Sequence, residues 1–327
     1  MKIKYIKIHL IILLLFALFS SHALIADEPF KRGKLVFNTP PDIEGLSAEE
    51  VMEKAARLED KGDLNQSLEV LKSYKKNDPD NKYVPEITFR IGKLLVKMNK
   101  YSKAYQTFQK IFEKHSNLSN PDRVLEKLYE IAEAFYEGKK RKVLGIPLAK
   151  QYNKAIKIYE QVISHAPFGK YADASQFKIG KTYLLLHKED EAIKTFRVLL
   201  KEYPESIYAE EALFLIAKNN DLTSNKSDYD QKKTEKAIET YRKFLKLYPE
   251  STYYEEAKQR LNVLLNKKGK EIFMIAKFYF DRGKYKAAKI YFDSLIENYA
   301  TTEWAEKSTQ YLSRIELKEN ENENHSS

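Results

Sequence analysis

The chain has 327 residues, 43% hydrophobic and 32% charged, with ten Gly, ten Pro, no Cys and a formal net charge of +10. Without cysteine, neither a disulfide framework nor thiol chemistry is open to it, and scarce Gly and Pro beside abundant Lys, Glu, Leu, Ile and Tyr predict an all-helical body. Acids and bases are interspersed along the segments, the ordinary pattern of solvated helix faces.

Lys2, Lys4 and Lys7 precede an apolar run, Ile8 to Phe19, that is short for a membrane span. Residues 1–26 therefore read as a secretory signal peptide, cut after Ala23 or Ala26, with retention as an uncleaved anchor as the alternative. Leu24-Ile25-Ala26-Asp27 is similar to the box at which bacterial lipoproteins are cut and acylated, but Asp27 stands where the obligatory Cys would be, so no lipid anchor is expected. Residues 1–26 hold three Lys and no acid, and their removal takes the net charge from +10 to +7. Such a surface favours anionic lipid headgroups or acidic partners; nucleic acid is not expected for an exported chain. Residues 27–46, with Pro29, Pro40, Pro41 and no helical period, predict an extended linker.

From Ser47 onward one pattern recurs. An alanine is followed four positions later by an aromatic residue: Ala104 and Phe108, Ala155 and Tyr159, Ala192 and Phe196, Ala237 and Tyr241, Ala288 and Phe292. In four places a second small residue lies twelve positions upstream: Ala55 before Ser67, Gly92 before Ala104, Gly180 before Ala192, Ala276 before Ala288. Small residues on two antiparallel helices let the backbones approach, and the aromatic one turn on fills the space where they splay apart. A single pair cannot bury its stripe, so pairs stack. The spacing, with a period of about 34, is that of a tetratricopeptide repeat. The predicted fold is an all-α tetratricopeptide-repeat helical solenoid of about six helix pairs after the signal peptide.

Ser47 with Glu50 predicts a capping box opening the first pair at about 47–76, followed by a second at about 83–115. The third begins near Pro121 and is interrupted: Ala132 and Ala155 are 23 apart rather than twelve, which places a loop at 139–150 carrying Lys139-Lys140-Arg141-Lys142 and then Val143 to Leu148. In a loop that segment suits anionic lipid or a partner; equally, its apolar part can tuck onto the stack. Further segments are expected at about 151–187, 189–220, 234–265 and 270–297, with a second insertion near Asp221–Lys232, a terminal helix over 302–316 and a disordered tail over 317–327. Turns such as Tyr203-Pro204-Glu205-Ser206 and Tyr248-Pro249-Glu250-Ser251 separate the pairs, proline stopping one helix and serine capping the next.

His165-Ala166-Pro167-Phe168-Gly169-Lys170-Tyr171, Lys226-Ser227-Asp228-Tyr229-Asp230, Tyr248-Pro249-Glu250-Ser251 and Ala276-Lys277-Phe278-Tyr279 through Gly283 resemble the turns and loops of the BamD family, also called YfiO or ComL, the tetratricopeptide subunit of the bacterial outer-membrane β-barrel assembly machine. The BamD-like region is 151–316, and residues 47–138 are additional amino-terminal repeats. The resemblance implies a periplasmic scaffold, peripheral to the inner leaflet of the outer membrane, that binds a BamA-like barrel-assembly protein and unfolded outer-membrane protein substrates. It implies substrate reception near Phe168, Tyr171 and Tyr183. Docking is implied at Lys226, Asp228, Tyr229 and Asp230 and at Tyr279, Arg282 and Tyr291. The family often has Arg where Tyr291 stands, so an ion pair does not carry over there. Tyr183 and Tyr279 also suit a plain core role, and Phe168 equally suits a staple between two helices.

No phosphate-binding Gly-rich loop, Gly-x-Ser-x-Gly or His-Glu-x-x-His occurs, and the six histidines are scattered. No enzymatic activity, metal or cofactor is expected. The rival readings are a CpoB/YbgF-like coordinator of envelope or wall processes, which would call for a heptad run not visible here, and a glycan-processing enzyme with separated carboxylates.

Overall fold

The computed structural model describes residues 42–114, 121–138, 142–143, 146–147, 151–224 and 231–324. The predicted signal peptide, nearly all of the linker and residues Lys226, Asp228, Tyr229 and Asp230 lie outside them. From Gly45 onward the described residues form one compact unit.

Thirteen helices are found among the described residues: α1 Ala48–Asp60, α2 Leu64–Asn77, α3 Val84–Lys97, α4 Tyr101–Lys114, α5 Asp122–Glu137, α6 Tyr152–His165, α7 Ala172–Leu185, α8 Glu189–Glu202, α9 Ala209–Ser224, α10 Gln231–Leu247, α11 Tyr254–Asp281, α12 Tyr285–Asn298 and α13 Glu303–Asn324. Each packs chiefly on its neighbours in sequence, the arrangement of stacked helix pairs, with α11 also touching α13. Between α5 and α6, Lys142–Val143 (β1) and Ile146–Pro147 (β2) pair antiparallel, so part of the expected loop is a short ladder.

The repeating pairs form the core. All five alanines and their five aromatic partners are fully buried. A methyl group on Gly92 would lie 2.5 Å from Cζ and 2.6 Å from Cε1 of Phe108, and one on Gly180 would lie 2.7 Å from Cδ1 and 2.8 Å from Cζ of Phe196. Those distances leave no room for a Cβ, so the backbones of α3 and α7 rest directly on the rings of Phe108 and Phe196. In the first pair, which has no aromatic here, the Ser67 hydroxyl donates to the Ala55 carbonyl oxygen at 2.8 Å. The capping box is present: the Ser47 amide donates to Glu50 Oε2 at 2.8 Å and the Glu50 amide to Ser47 Oγ at 3.2 Å.

The tight turn inside a pair requires one left-handed residue. Gly62, Asn99, His187 and Gly283 hold this place two positions before a helix start, with φ of 83°, 55°, 55° and 68°.

Three expectations change. The boundary expected near residues 266–270 does not exist, because α11 runs unbroken for 28 residues. Nothing between Asn266 and Lys270 stops a helix, and the site where a Gly269 Cβ would sit is 3.1 Å from Trp304 Cδ1, so the glycine serves close packing against α13. The tail expected to be disordered from residue 317 continues α13 to Asn324. Fully buried Ile315 anchors it, and the Glu- and Asn-rich sequence beyond holds neither Gly nor Pro, so the helix propagates past its anchor. Finally, Ser206 and Ser251 accept from the amides of Tyr208 and Tyr253, two residues on, and do not cap the helix N–H groups. Their hydroxyls donate to Asp173 and Glu210 of the preceding pair.

Gly180→Ala is expected to destabilise the protein by about 1–3 kcal/mol, because overpacking against a fully buried ring outweighs the better helix propensity of alanine. Thermal melts of Gly180→Ala, Phe196→Leu and the double variant check this. The double variant should lose less than the sum of the singles.

Candidate functional site

The described residues singled out in the sequence fall in two regions, of which only the second brings them together. The first surrounds α7. Phe168, in the α6–α7 turn, is 86% exposed. The turn is held by the Tyr203 hydroxyl, which donates to the Pro167 carbonyl oxygen at 2.8 Å. Tyr171 is instead tied into the stack: its ring lies on Tyr129 of α5, centroids 5.0 Å apart at 24°. Tyr208 on Phe177 and Tyr253 on Phe214 repeat that contact in the next two pairs. Tyr183, near the other end of α7, joins Glu160 and Ser164 of α6 and Thr195 of α8 in lining a groove of about 280 Å³ with Ile163 and Ile179. Burial, then the charges of Glu160 and Glu191, push the Tyr183 phenol upward. Twelve residues of helix separate Tyr171 from Tyr183, about 18 Å, so the three residues do not form one cluster.

The second surface lies on α11 and α12. The Arg282 guanidinium sits 3.4 Å from the centre of the Phe278 ring. Phe278 meets Tyr279 edge-on at 5.6 Å, and Tyr279 stacks on Tyr291 at 5.7 Å and 6°. Tyr279, Arg282 and Tyr291 thus belong to one contiguous aromatic and cationic chain, linked by Phe278. Tyr279 and Tyr291 also pack against the core cluster around Ala276 and Phe292, so they serve both roles. Phe278, Met274 and Ile275 are 50%, 54% and 44% exposed. They were not among the residues singled out, yet a signal existed: α11 is apolar at 273, 276 and 280 and again at 274, 275 and 278, which is more than one face of a surface helix needs.

Two polar triads join neighbouring helix pairs, with Tyr159, Tyr241 and Asp221 buried and Glu133, Lys178 and Arg260 partly exposed. The Tyr159 hydroxyl (α6) donates to Glu133 (α5), which also accepts from Lys178 Nζ (α7) at 2.6 Å. Asp221 (α9), 1% exposed, accepts from Arg260 Nε and Nη2 (α11), each at 2.7 Å, and lies 3.5 Å from the Tyr241 hydroxyl (α10). In both, an acid on the first helix of a pair (α5, α9) meets a Tyr on the second (α6, α10), which follows an insertion, and a cation on the first helix of the next pair (α7, α11). Burial first, then the neighbouring carboxylate, drives both phenols far above their ordinary range. The sequence marks these places only by Tyr where the other repeats have Phe. Asn219, Asn220, Thr223, Ser224 and Thr234 are buried beside the second triad.

Among the described residues, no three His, Asp or Glu side chains converge as metal ligands, and no helix is long and apolar enough to cross a membrane. A family model described as YfiO, outer membrane lipoprotein, matches residues 131–326, and one for the tetratricopeptide repeat matches 88–117. The chain belongs to the YfiO family. Both surfaces and both triads fall within the YfiO match, whereas α1–α4 precede it. Two proteins named outer membrane protein assembly factor BamD, from Neisseria meningitidis serogroups A and B, are each 28% identical over 174 residues, 49% of this chain and 64% of theirs. The match therefore spans just under two thirds of those relatives. A tetratricopeptide repeat protein from Parabacteroides merdae aligns at a TM-score of 0.37 and 16% identity, over 82% of this chain and 98% of its own.

Arg260→Ala is expected to destabilise the protein by about 1–3 kcal/mol by removing the guanidinium that donates twice to the buried Asp221 carboxylate. Urea unfolding measures it. Stability should also fall as pH rises above about 10, where tyrosines of the unfolded chain ionise while Tyr159 and Tyr241 stay protonated in the fold. The raised folded pKa makes their contribution complete below that pH and progressively lost above it. The Tyr159→Phe/Tyr241→Phe variant should show a shallower fall in urea midpoint between pH 8 and 11.

Proposed function

We propose that the chain is a non-enzymatic, periplasmic scaffold of the outer-membrane β-barrel assembly machinery, docking a barrel-assembly protein through α11 and α12 and receiving unfolded outer-membrane protein substrates around α7. The observation that carries the docking reading is Phe278, half exposed beneath Arg282 with Met274 and Ile275 beside it, inside the YfiO match. Exposed aromatic and Arg side chains supply much of the binding energy at protein interfaces, and this cluster rests on the rigid Tyr279–Tyr291 stack. Relatives that carry the name outer membrane protein assembly factor support the same reading.

Reception of substrate rests on Phe168, which contributes aromatic surface without being needed by the core, and on the groove lined by Tyr183, whose isoleucine floor and Glu160 rim suit an extended segment. Lys226, Asp228, Tyr229 and Asp230 are assigned to docking on the sequence resemblance. In this reading the amino-terminal signal exports the chain, and association with the outer membrane runs through the partner.

Recovery from solubilised envelopes tests the assignment. A tagged wild-type chain should bring down a barrel-assembly protein, and Phe278→Asp with Arg282→Glu should lower that yield about tenfold or more with unchanged thermal stability. Phe168→Ala should leave docking intact and reduce crosslinking to unfolded barrel substrates. Recovery of wall-division proteins with no barrel-assembly subunit would overturn the proposal.

A further inference from the structure

The additional repeats that precede the YfiO match carry a groove of their own. It lies between α2, α3 and α4 as two depressions of about 350 and 320 Å³ that share Lys72, Ile91, Thr107 and Lys110. Leu68, Ile91 and Leu95, each 6% exposed or less, form its floor. Lys72, Lys75, Lys76, Lys100, Lys103 and Lys110 line it, against a single carboxylate, Glu69.

That carboxylate pairs with Lys72 at 3.1 Å, and Lys75 Nζ donates to Thr88 Oγ1 at 2.7 Å. Lys76, Lys103 and Lys110 make no ion pair among the described residues. Three lysines within one turn and a half of α2 repel one another, since like charges at a spacing of four cost a few tenths of a kcal/mol each. Elsewhere on the surface this chain pairs many of its lysines with acids, as in Lys181 with Glu211 and Lys218 with Glu256.

The groove around Tyr183 is the control within the same molecule. Ile91 and Ile179, Thr107 and Thr195, and Leu95 and Tyr183 hold matching places 88 positions apart. At that offset Lys72, Lys76 and Lys110 become Glu160, Ser164 and Val198. The shape is common to both repeats, and the charge is not.

We propose that the α2–α4 groove binds an extended, acidic polypeptide segment with interspersed apolar residues. Lys103 and Lys110 stand about 10 Å apart along α4, and alternate side chains of an extended strand are about 7 Å apart, so the charges are strung out along a line instead of converging on one anion. An apolar floor recessed between lysine walls suits side chains alternating between the two; a bilayer surface would meet the lysines and leave the floor empty. This assignment does not depend on docking at Phe278.

The test uses the purified full-length chain and a short fluorescein-labelled peptide of glutamates interspersed with leucines. Fluorescence anisotropy should show binding that weakens as salt rises, and Lys76→Glu/Lys103→Glu/Lys110→Glu should weaken it about tenfold or more. Zero-length carbodiimide crosslinking of the wild-type chain should join the peptide's carboxylates to these lysines, a readout that needs no folded variant. The proposal is overturned if crosslinks fall elsewhere, if the triple variant, folded by its melting curve, binds as wild type, or if the lysines govern binding to phosphatidylglycerol vesicles while the peptide does not bind.

Discussion

The contact on which the stack depends is a small residue of one helix against an aromatic ring of the next. Where the small residue is Gly92 or Gly180, the ring of Phe108 or Phe196 occupies the space a methyl group would need, so the interhelix distance is set by the thickness of a ring and a bare backbone. Everything else in a pair follows from that distance. The turn between the helices becomes so short that one residue must enter the left-handed region, and Asn99 and His187 accept that strain where Gly62 and Gly283 do not need to. The cost, about 1–2 kcal/mol for a residue with a Cβ, is tolerable only because the buried pair beyond the turn is worth more.

At two places the ring carries a hydroxyl, and the stack responds with charge. Tyr159 and Tyr241 each present a phenol to an acid, partly exposed Glu133 or buried Asp221, and each acid reaches forward to a cation on the first helix of the next pair. Glu133–Lys178 and Asp221–Arg260 therefore join neighbouring pairs where an insertion has lengthened the connection within a pair. A buried ion pair adds little net stability over an apolar contact of the same shape. Its effect is on register: a slipped helix would leave Asp221 buried without Arg260. Nearest-neighbour stacking needs such a device most where a long connection leaves the relative placement of two helices least constrained.

Much of this was legible in the linear order of residues because each repeat is a local unit. The Ala–aromatic pairs, the Ser47–Glu50 box and the left-hand boundaries of most helices depend on contacts within about 35 residues. What escaped reading depends on residues brought together from several helices or on the absence of a stop. The segments expected at 234–265 and 270–297 are joined in the unbroken α11, where Gly269 fits against Trp304, a contact made with a helix more than thirty residues further along the chain. Tyr171 was singled out for its motif, but its neighbours Tyr208 and Tyr253 show the same stacking, which marks it as part of the joint between repeats. The lysine groove takes its members from three helices, and only the constant offset of 88 residues to the Tyr183 groove makes its charge stand out.

Because the repeats are held together by their small, aromatic and other buried positions, the exposed positions of each helix are free to differ. The repeats before residue 131 use that freedom for lysine, and those within the YfiO match use it for exposed Phe168, Phe278, Met274 and Ile275. Substitutions at the small and aromatic positions would not exchange the two chemistries, since repeats of both sets use the same kind of contact there. The difference lies wholly in side chains that the packing does not consume, which is why family membership, carried by residues 131–326, says nothing about the charge of the groove that precedes it.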